Sequence, residues 1–303
     1  MALDADALVD RTRLKRHLAV WRTLAILVAA GLIVVALGRF TGYQQNDYIA
    51  RFAVSNVILD DRRRHDVLER IARDRNAKAL IVRIDSPGGT VVGGEALYLS
   101  LRRVAKQKPV VAVLGQVATS AAYMVALAAD RIIAHEGTIT GSIGVLMQTT
   151  EISGLLRKLG ISTEAIKSGP LKAVPSPLEP MTPEVRKTTQ ALVDDMFSMF
   201  LRMVAERRKL SRFDAEALAD GRVFTGRGAV EKRLIDALGG EAEAIAWLED
   251  KKKIAPDLPV RDIKVERRVE EWFDYFGSLA RKTMFSERLT LDGLISVWHP
   301  ELR

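Results

Sequence analysis

Val113-Leu-Gly-Gln-Val-Ala-Thr-Ser-Ala-Ala-Tyr123 changes character halfway along. A β-branched run ends, a hydroxyl pair follows, and a series of small residues begins, which is how a strand hands over to a helix. Working outward, the pattern predicts a strand over Val110 to Leu114, a helix from about Ser120 to Ala129 and a strand over Arg131 to Ala134. Upstream lie strand candidates at Val54 to Leu59 and Lys78 to Ile84, with helices at Arg62 to Arg73 and Gly93 to Lys106. Downstream, a strand is expected at Ile161 to Ile166. The run Pro170-Leu-Lys-Ala-Val-Pro-Ser-Pro-Leu-Glu-Pro180 is too rich in proline for regular structure. A long helix then starts near Thr182-Pro183-Glu184 and reaches about Lys209. Strands exchanging with helices in this way define an α/β fold.

The chain has 303 residues, of which 48% are hydrophobic and 28% charged, a balance that supports a sizeable core. With no cysteine and four histidines, disulfides, thiolate zinc sites and a Cys nucleophile are excluded, and no metal or other cofactor is expected. The net charge of +8 is spread over solvated clusters such as Arg62-Arg63-Arg64 and Lys251-Lys252-Lys253. They lack the aromatic interleaving of a single-strand binder, so no nucleic-acid partner is expected.

Thr23 to Gly38, TLAILVAAGLIVVALG, is sixteen positions without a charge. About 20 apolar residues cross a bilayer, a length reached if Arg22 snorkels to the interface beside Trp21. Arg11, Arg13, Lys15, Arg16 and Arg22 precede this run, whereas only Arg39 follows closely, so the N-terminus is expected in the cytoplasm and the remainder exported. Ala36-Leu37-Gly38 offers a signal-peptidase pattern, but the charged segment before the run is long for a cleaved signal. The expected organisation is a cytoplasmic basic tail over 1–22, a transmembrane anchor over 23–40, a folded domain over 41–258 and a C-terminal tail over 259–303. That tail carries Trp272, Phe273, Phe276, Leu279, Met284 and Phe285, which suit an amphipathic segment on the bilayer surface or a docking helix for another protomer.

Chemistry is sought first at Asp85-Ser-Pro-Gly-Gly89, where adjacent glycines let backbone N–H groups approach a ligand, and then at Ser120. Ser120 reads either as a helix N-cap or as a nucleophile at a helix start, with the N–H groups of Ala121 and Gly89 as an oxyanion hole. A serine needs a base. His17, His65 and His299 are poorly placed and His135 has no obvious aspartate, so lysine is the remaining neutral-pH base. An ordinary lysine, with a pKa near 10.4, is deprotonated about once in 2,500 molecules at pH 7, so a working base must be shifted by about three units, or about 4 kcal/mol. Such a shift demands an apolar, desolvated setting. Lys167 and Lys172 are the candidates, and the Pro, Leu, Ala and Val neighbours of Lys172 make it the better desolvated on sequence.

Five segments in order resemble the signal peptide peptidase A family, membrane-anchored Ser/Lys peptidases related in fold to ClpP and the crotonases. They are Asp85 to Gly89, Ala118-Thr-Ser-Ala-Ala-Tyr123, Thr140-Gly-Ser-Ile-Gly-Val145, Lys167-Ser-Gly-Pro-Leu-Lys172, and Gly221-Arg-Val-Phe-Thr-Gly226 with Leu234-Ile-Asp-Ala-Leu-Gly-Gly240. The resemblance runs from about Val54 to Gly240. It implies a ClpP/crotonase-like fold of repeated strand-strand-helix units behind one N-terminal transmembrane helix. It further implies a peptidase domain on the periplasmic side of the inner membrane, with Ser120 as nucleophile, Lys172 as general base, Ser142 holding the lysine, and Gly89 with Ala121 as oxyanion donors. Signal peptides or other apolar peptides are the implied substrates. The family's long form repeats the fold twice. A single copy implies a homo-oligomeric ring in which Lys172 of one protomer serves Ser120 of the next. Ser-Ala-Ala-Tyr here departs from the family's frequent Ser-Gly-Gly-Tyr and is expected to narrow the space beside Ser120. The rivals are an acyl-CoA enzyme of crotonase type, a non-catalytic membrane scaffold of the same fold and a peptidase for one specific membrane protein.

Overall fold

The computed structural model of the chain describes residues 18, 20–32, 47–265 and 294–297, in two units divided after Asn46. In the first unit residues 20–32 are helical (α1), and Val20, Trp21, Leu24, Ile26, Leu27, Val28 and Leu32 are all exposed. These residues cover about 20 Å at 1.5 Å each, and among the described residues no helix is long and apolar enough to cross a membrane. The rest of the expected anchor, 33–40, and most of the aromatic tail lie outside the described residues.

The second unit is built on an eight-stranded sheet. Its main path runs β10-β1-β2-β4-β5-β9, with β1 at Tyr48–Ser55, β2 at Ala77–Ser86, β4 at Val110–Thr119, β5 at Arg131–Ala134, β9 at Ala237–Leu238 and β10 at Val260–Ile263. All these pairings are parallel. β6 (Ile139–Gly141) adds to the far end of β4 in parallel and pairs antiparallel with β8 (Val223–Thr225). A parallel sheet needs helices on both faces, and alternate residues of β2 divide accordingly. Leu80, Val82 and Ile84 join the larger core with α2 (Arg62–Arg73), α3 (Val91–Ala105) and Phe200, Leu201 and Val204 of α6 (Pro183–Arg208). Ala79 and Ile81 face the other way, onto Ala244 and Leu248 of α9 (Glu241–Lys252).

Several expectations are corrected. β1 begins and ends earlier than the run Val54 to Leu59, because Asn56 takes a left-handed conformation (φ 61°) and turns the chain out of the sheet. Residues Ile161 to Ile166 form no strand: they find no neighbouring strand among the described residues, and Ile166 is 98% exposed. The sheet also takes in β10, beyond Leu258, where the charge-rich composition suggested the folded domain would end. A smaller three-stranded sheet, β3-β11-β7, joins β3 (Gly88–Thr90) to β7 (Leu146–Met147) through β11 (Leu294–Val297).

Candidate active site

The site is assembled where β2, β4 and β6 end. Between Ile84↔Leu114 and Ser86↔Ala118 the β2–β4 register shifts, so Gly115-Gln116-Val117 bulges and β4 runs on to Thr119 instead of stopping at Leu114. Gly115 admits the carboxylate of Asp85, whose Cγ would lie 2.9 Å from a Cβ at residue 115, and Asp85 Oδ1 accepts the N–H of Val117 at 3.2 Å. A bulge re-aims the residues after it, and here it swings Thr119 and Ser120 over the end of β2.

Ser120 sits at this strand-to-helix corner with φ 59° and ψ −121°, a region costly for any residue with a Cβ. Ser120 occupies the N-cap position of α4 (Ala121–Ala126), but the capping role is corrected: its side chain makes no capping bond to the helix. Surrounding bonds hold the strained corner. The Ser120 N–H donates to Gly141 O at 2.8 Å, Thr119 Oγ1 to Pro87 O at 3.0 Å, and Thr140 Oγ1 to Ala118 O at 2.7 Å. Behind it, Tyr123 donates its buried hydroxyl to Leu234 O at 2.7 Å, and Arg207 of α6 bonds to Leu127 O and Ala129 O at the end of α4. Asp85, Thr119 and Thr140 lie in segments the sequence points to but gives no role, and Arg207 it does not single out; all four bond around this corner. For the threonines the signal was a hydroxyl beside a small residue at a strand end.

The same bonds bring Ser142 alongside. It follows Gly141, carries φ 50°, and its N–H donates to Arg222 O at 2.8 Å. Ala121 and Ala122 are fully buried, and a Cβ at Gly94 of α3 would lie 3.0 Å from that of Ala121. The methyl of Ala121 therefore fills space between α3 and α4.

Gly88 has φ 115°, where only glycine is at ease. At Gly89 the constraint is crowding: a Cβ would fall 1.9 Å from Ile58 O. Replacing Gly89 by Ala is accordingly expected to destabilise the fold by more than about 3 kcal/mol through displacement of backbone, read as a lowered denaturation midpoint. An unchanged midpoint would contradict this packing.

The lysines separate. Lys167 is ion-paired with Glu179. Lys172 stands on the exposed loop beyond it and, among the described residues, its ammonium has no partner. The desolvation expected for Lys172 is therefore absent from the single chain, since Leu171 and Leu178 are themselves exposed. The structure brings Gly89, Ser120, Ala121 and Ser142 together and leaves Lys172 on this surface loop. A cavity of ≈ 680 Å³ lies between that loop and β7, lined by Leu146, Met147, Pro175, Val185, Thr189 and Val193 among others.

One Ser-His-Asp chain does occur. His65 Nδ1 meets Ser100 Oγ at 2.8 Å and its Nε2 meets Asp60 Oδ1 at 2.8 Å. Ser100 lies buried in mid-helix and also accepts from Arg103, where the backbone N–H groups are engaged in the helix and none is left to receive an oxyanion. Among the described residues there is no group of three or more His, Cys, Asp or Glu that could hold a metal ion.

The sequence profile of peptidase family S49 matches residues 102–255. A protein named as a protease in Synechocystis sp. is 39% identical over 211 residues, covering 69% of this chain and 76% of its own. Another, from Methanocaldococcus jannaschii, is 35% identical over 213 residues, 70% of this chain and 67% of its own. A protein of Enterococcus faecium named as a signal peptide peptidase SppA is 32% identical over 214 residues, 69% of this chain and 62% of its own.

Proposed function

The chain belongs to peptidase family S49 and is a serine peptidase of the signal peptide peptidase A type, and on that premise we propose that Ser120 is its nucleophile and Lys172 its general base. Neutral Lys172 takes the Ser120 hydroxyl proton as Oγ attacks the peptide carbonyl, and the N–H groups of Gly89 and Ala121 receive the oxyanion. As the C–N bond breaks, the lysine proton passes to the leaving amine. Water then deacylates the ester, giving its proton to Lys172, which passes it to Ser120 Oγ as the acyl–oxygen bond breaks. Ser142, beside Ser120, holds the lysine amine in line.

The observation that carries this reading is the strained Ser120 corner, held by bonds donated to the carbonyls of Gly141, Pro87 and Ala118, since such strain clusters where function requires it. Exposure of Lys172 supports a ring in which the next protomer supplies the base: a covering surface would desolvate it, and its loop carries exposed Ile166, Leu171 and Leu178. The apolar side chains exposed around α1 support an anchor in the inner membrane, and the basic residues that precede it support a peptidase domain on the periplasmic side. Substrates are then apolar peptides at the membrane face, signal peptides among them. A serine-directed acylating probe is expected to label Ser120 and to be displaced by an apolar peptide; labelling confined to other serines, or none, would sink the assignment.

A further inference from the structure

The Ser-His-Asp chain that lies apart from Ser120 ties together two elements that back the proposed oxyanion donor. Arg103 Nη2 donates to Ser100 Oγ at 2.7 Å, His65 Nδ1 meets the same Oγ at 2.8 Å, and His65 Nε2 meets Asp60 Oδ1 at 2.8 Å. A carboxylate only accepts, so in the neutral ring Nε2 carries the proton and Nδ1 accepts from the Ser100 hydroxyl. Every donor in the row then points the same way, from the guanidinium on α3 to the carboxylate just before α2. Bonds with a charged group at each end are stronger than neutral ones, and each polarises the next.

Asp60 stands two residues from Ile58, which is fully buried and grips β3 from behind. The Ile58 N–H donates to Gly88 O at 2.8 Å and the Thr90 N–H donates to Ile58 O at 2.9 Å, so both neighbours of Gly89 hang on one residue. The stretch is pressed equally closely against α3. A Cβ at Gly93, in the first turn of that helix, would lie 2.8 Å from the carbonyl carbon of Leu59 and 2.9 Å from the Asp60 nitrogen. Thr90 belongs to both contacts, since its Oγ1 also accepts the Gly93 N–H at 3.0 Å. Val57 and Leu59, on either side of Ile58, are exposed and add little grip of their own. The row through His65 is what fastens this stretch to the body of α3.

We infer that His65 is a positioning residue for the oxyanion hole: by bridging Ser100 to Asp60 it fixes where Ile58 holds Gly88 and Thr90, and so aims the N–H of Gly89. The inference rests on the assignment of Gly89 as an oxyanion donor above. Such a donor acts on charge that develops only in the transition state, so loosening it lowers kcat and spares KM.

The test compares the full-length protein with His65→Ala, Asp60→Ala, the double variant and Asp60→Asn, on a short apolar peptide. Each single alanine variant is expected to lose roughly five- to twentyfold in kcat, with KM within about twofold of the parent. The double variant should be no worse than either single one, because all three break the same row. Asp60→Asn keeps an oxygen that accepts from Nε2 and should recover most of the loss. Losses that multiply in the double variant, Asp60→Asn as poor as Asp60→Ala, or a raised KM with kcat unchanged would each overturn the inference. Asp60 is a largely exposed side chain, so its variants keep the test open if His65→Ala folds poorly. Backbone hydrogen exchange supplies a readout without turnover. In both single alanine variants the Ile58 and Thr90 amides should exchange at least about tenfold faster while those of Leu80, Val82 and Ile84 in β2 keep the parent's rate. Unchanged exchange at Ile58 and Thr90, or equal acceleration throughout the sheet, counts against the hold on β3. If no protein in the set cleaves any peptide but Ile58 and Thr90 alone respond, the peptidase assignment fails and the hold of His65 on β3 survives. If the parent cleaves peptides and His65→Ala matches its kcat, the assignment stands and the inference falls.

Discussion

Ser120→Ala is expected to reduce peptide hydrolysis by a factor on the order of 10⁴ to 10⁶, since removing a nucleophile removes the covalent route altogether. The fold should hardly notice. Alanine keeps the Cβ and therefore the same strain at φ 59°, and no capping bond is lost, so stability should stay within about 1 kcal/mol of the parent. Ser120→Gly should be equally inactive yet at least as stable, because glycine relieves the corner. The measurement is kcat/KM on an apolar peptide beside a denaturation curve. Turnover by purified Ser120→Ala at the parent's rate would remove Ser120 from the chemistry.

Lys172→Ala is expected to lower kcat/KM by about 10² to 10⁴, the usual worth of a positioned general base, while leaving assembly intact. Lys167→Ala gives the informative contrast. Lys167 is held by Glu179, so its loss should loosen the loop and leave most of the activity. If Lys172 serves a neighbour's Ser120, mixing inactive Ser120→Ala protomers with inactive Lys172→Ala protomers should restore part of the hydrolysis, because some interfaces then pair an intact lysine with an intact serine. Failure of the mixture to recover any activity, or full turnover by Lys172→Ala alone, would defeat the shared site.

The sequence made the architecture legible where periodicity and length agree. Helix α2 and strand β5 fall where the apolar spacing puts them, and α6 starts at Pro183 as the Thr-Pro-Glu signal requires. It was misleading where a local signal had two physical meanings. The apolar run that ends at Leu114 looks like the end of a strand, but the β2–β4 register shift carries the strand past Gly115, where the missing side chain leaves room for Asp85. Ser120 satisfies the composition rule for an N-cap and takes that position, but its side chain makes no capping bond, and its backbone angles are imposed by bonds to residues elsewhere in the chain. Likewise the apolar neighbours of Lys172 suggested burial, yet in a proline-rich loop they need not pack on their own domain. Long-range pairing of β11 with β3 carries no local signature, since the composition of a strand does not reveal its partner.

The backbone bonds around Ser142 have a consequence for how the enzyme would lose activity. Gly141 and Ser142 are backed by β8, a three-residue strand that is only half-buried, and the bond from Ser142 to Arg222 O closes a loop of about 80 residues. A short, half-buried pairing at a sheet edge opens at lower free energy than the core it borders. The wide parallel sheet and its two apolar layers do not depend on that short pairing. On gentle heating, the alignment at Ser120 should therefore decay as a local opening, with the sheet still folded, so the temperature at which the protein stops working is set by the weakest edge of the site.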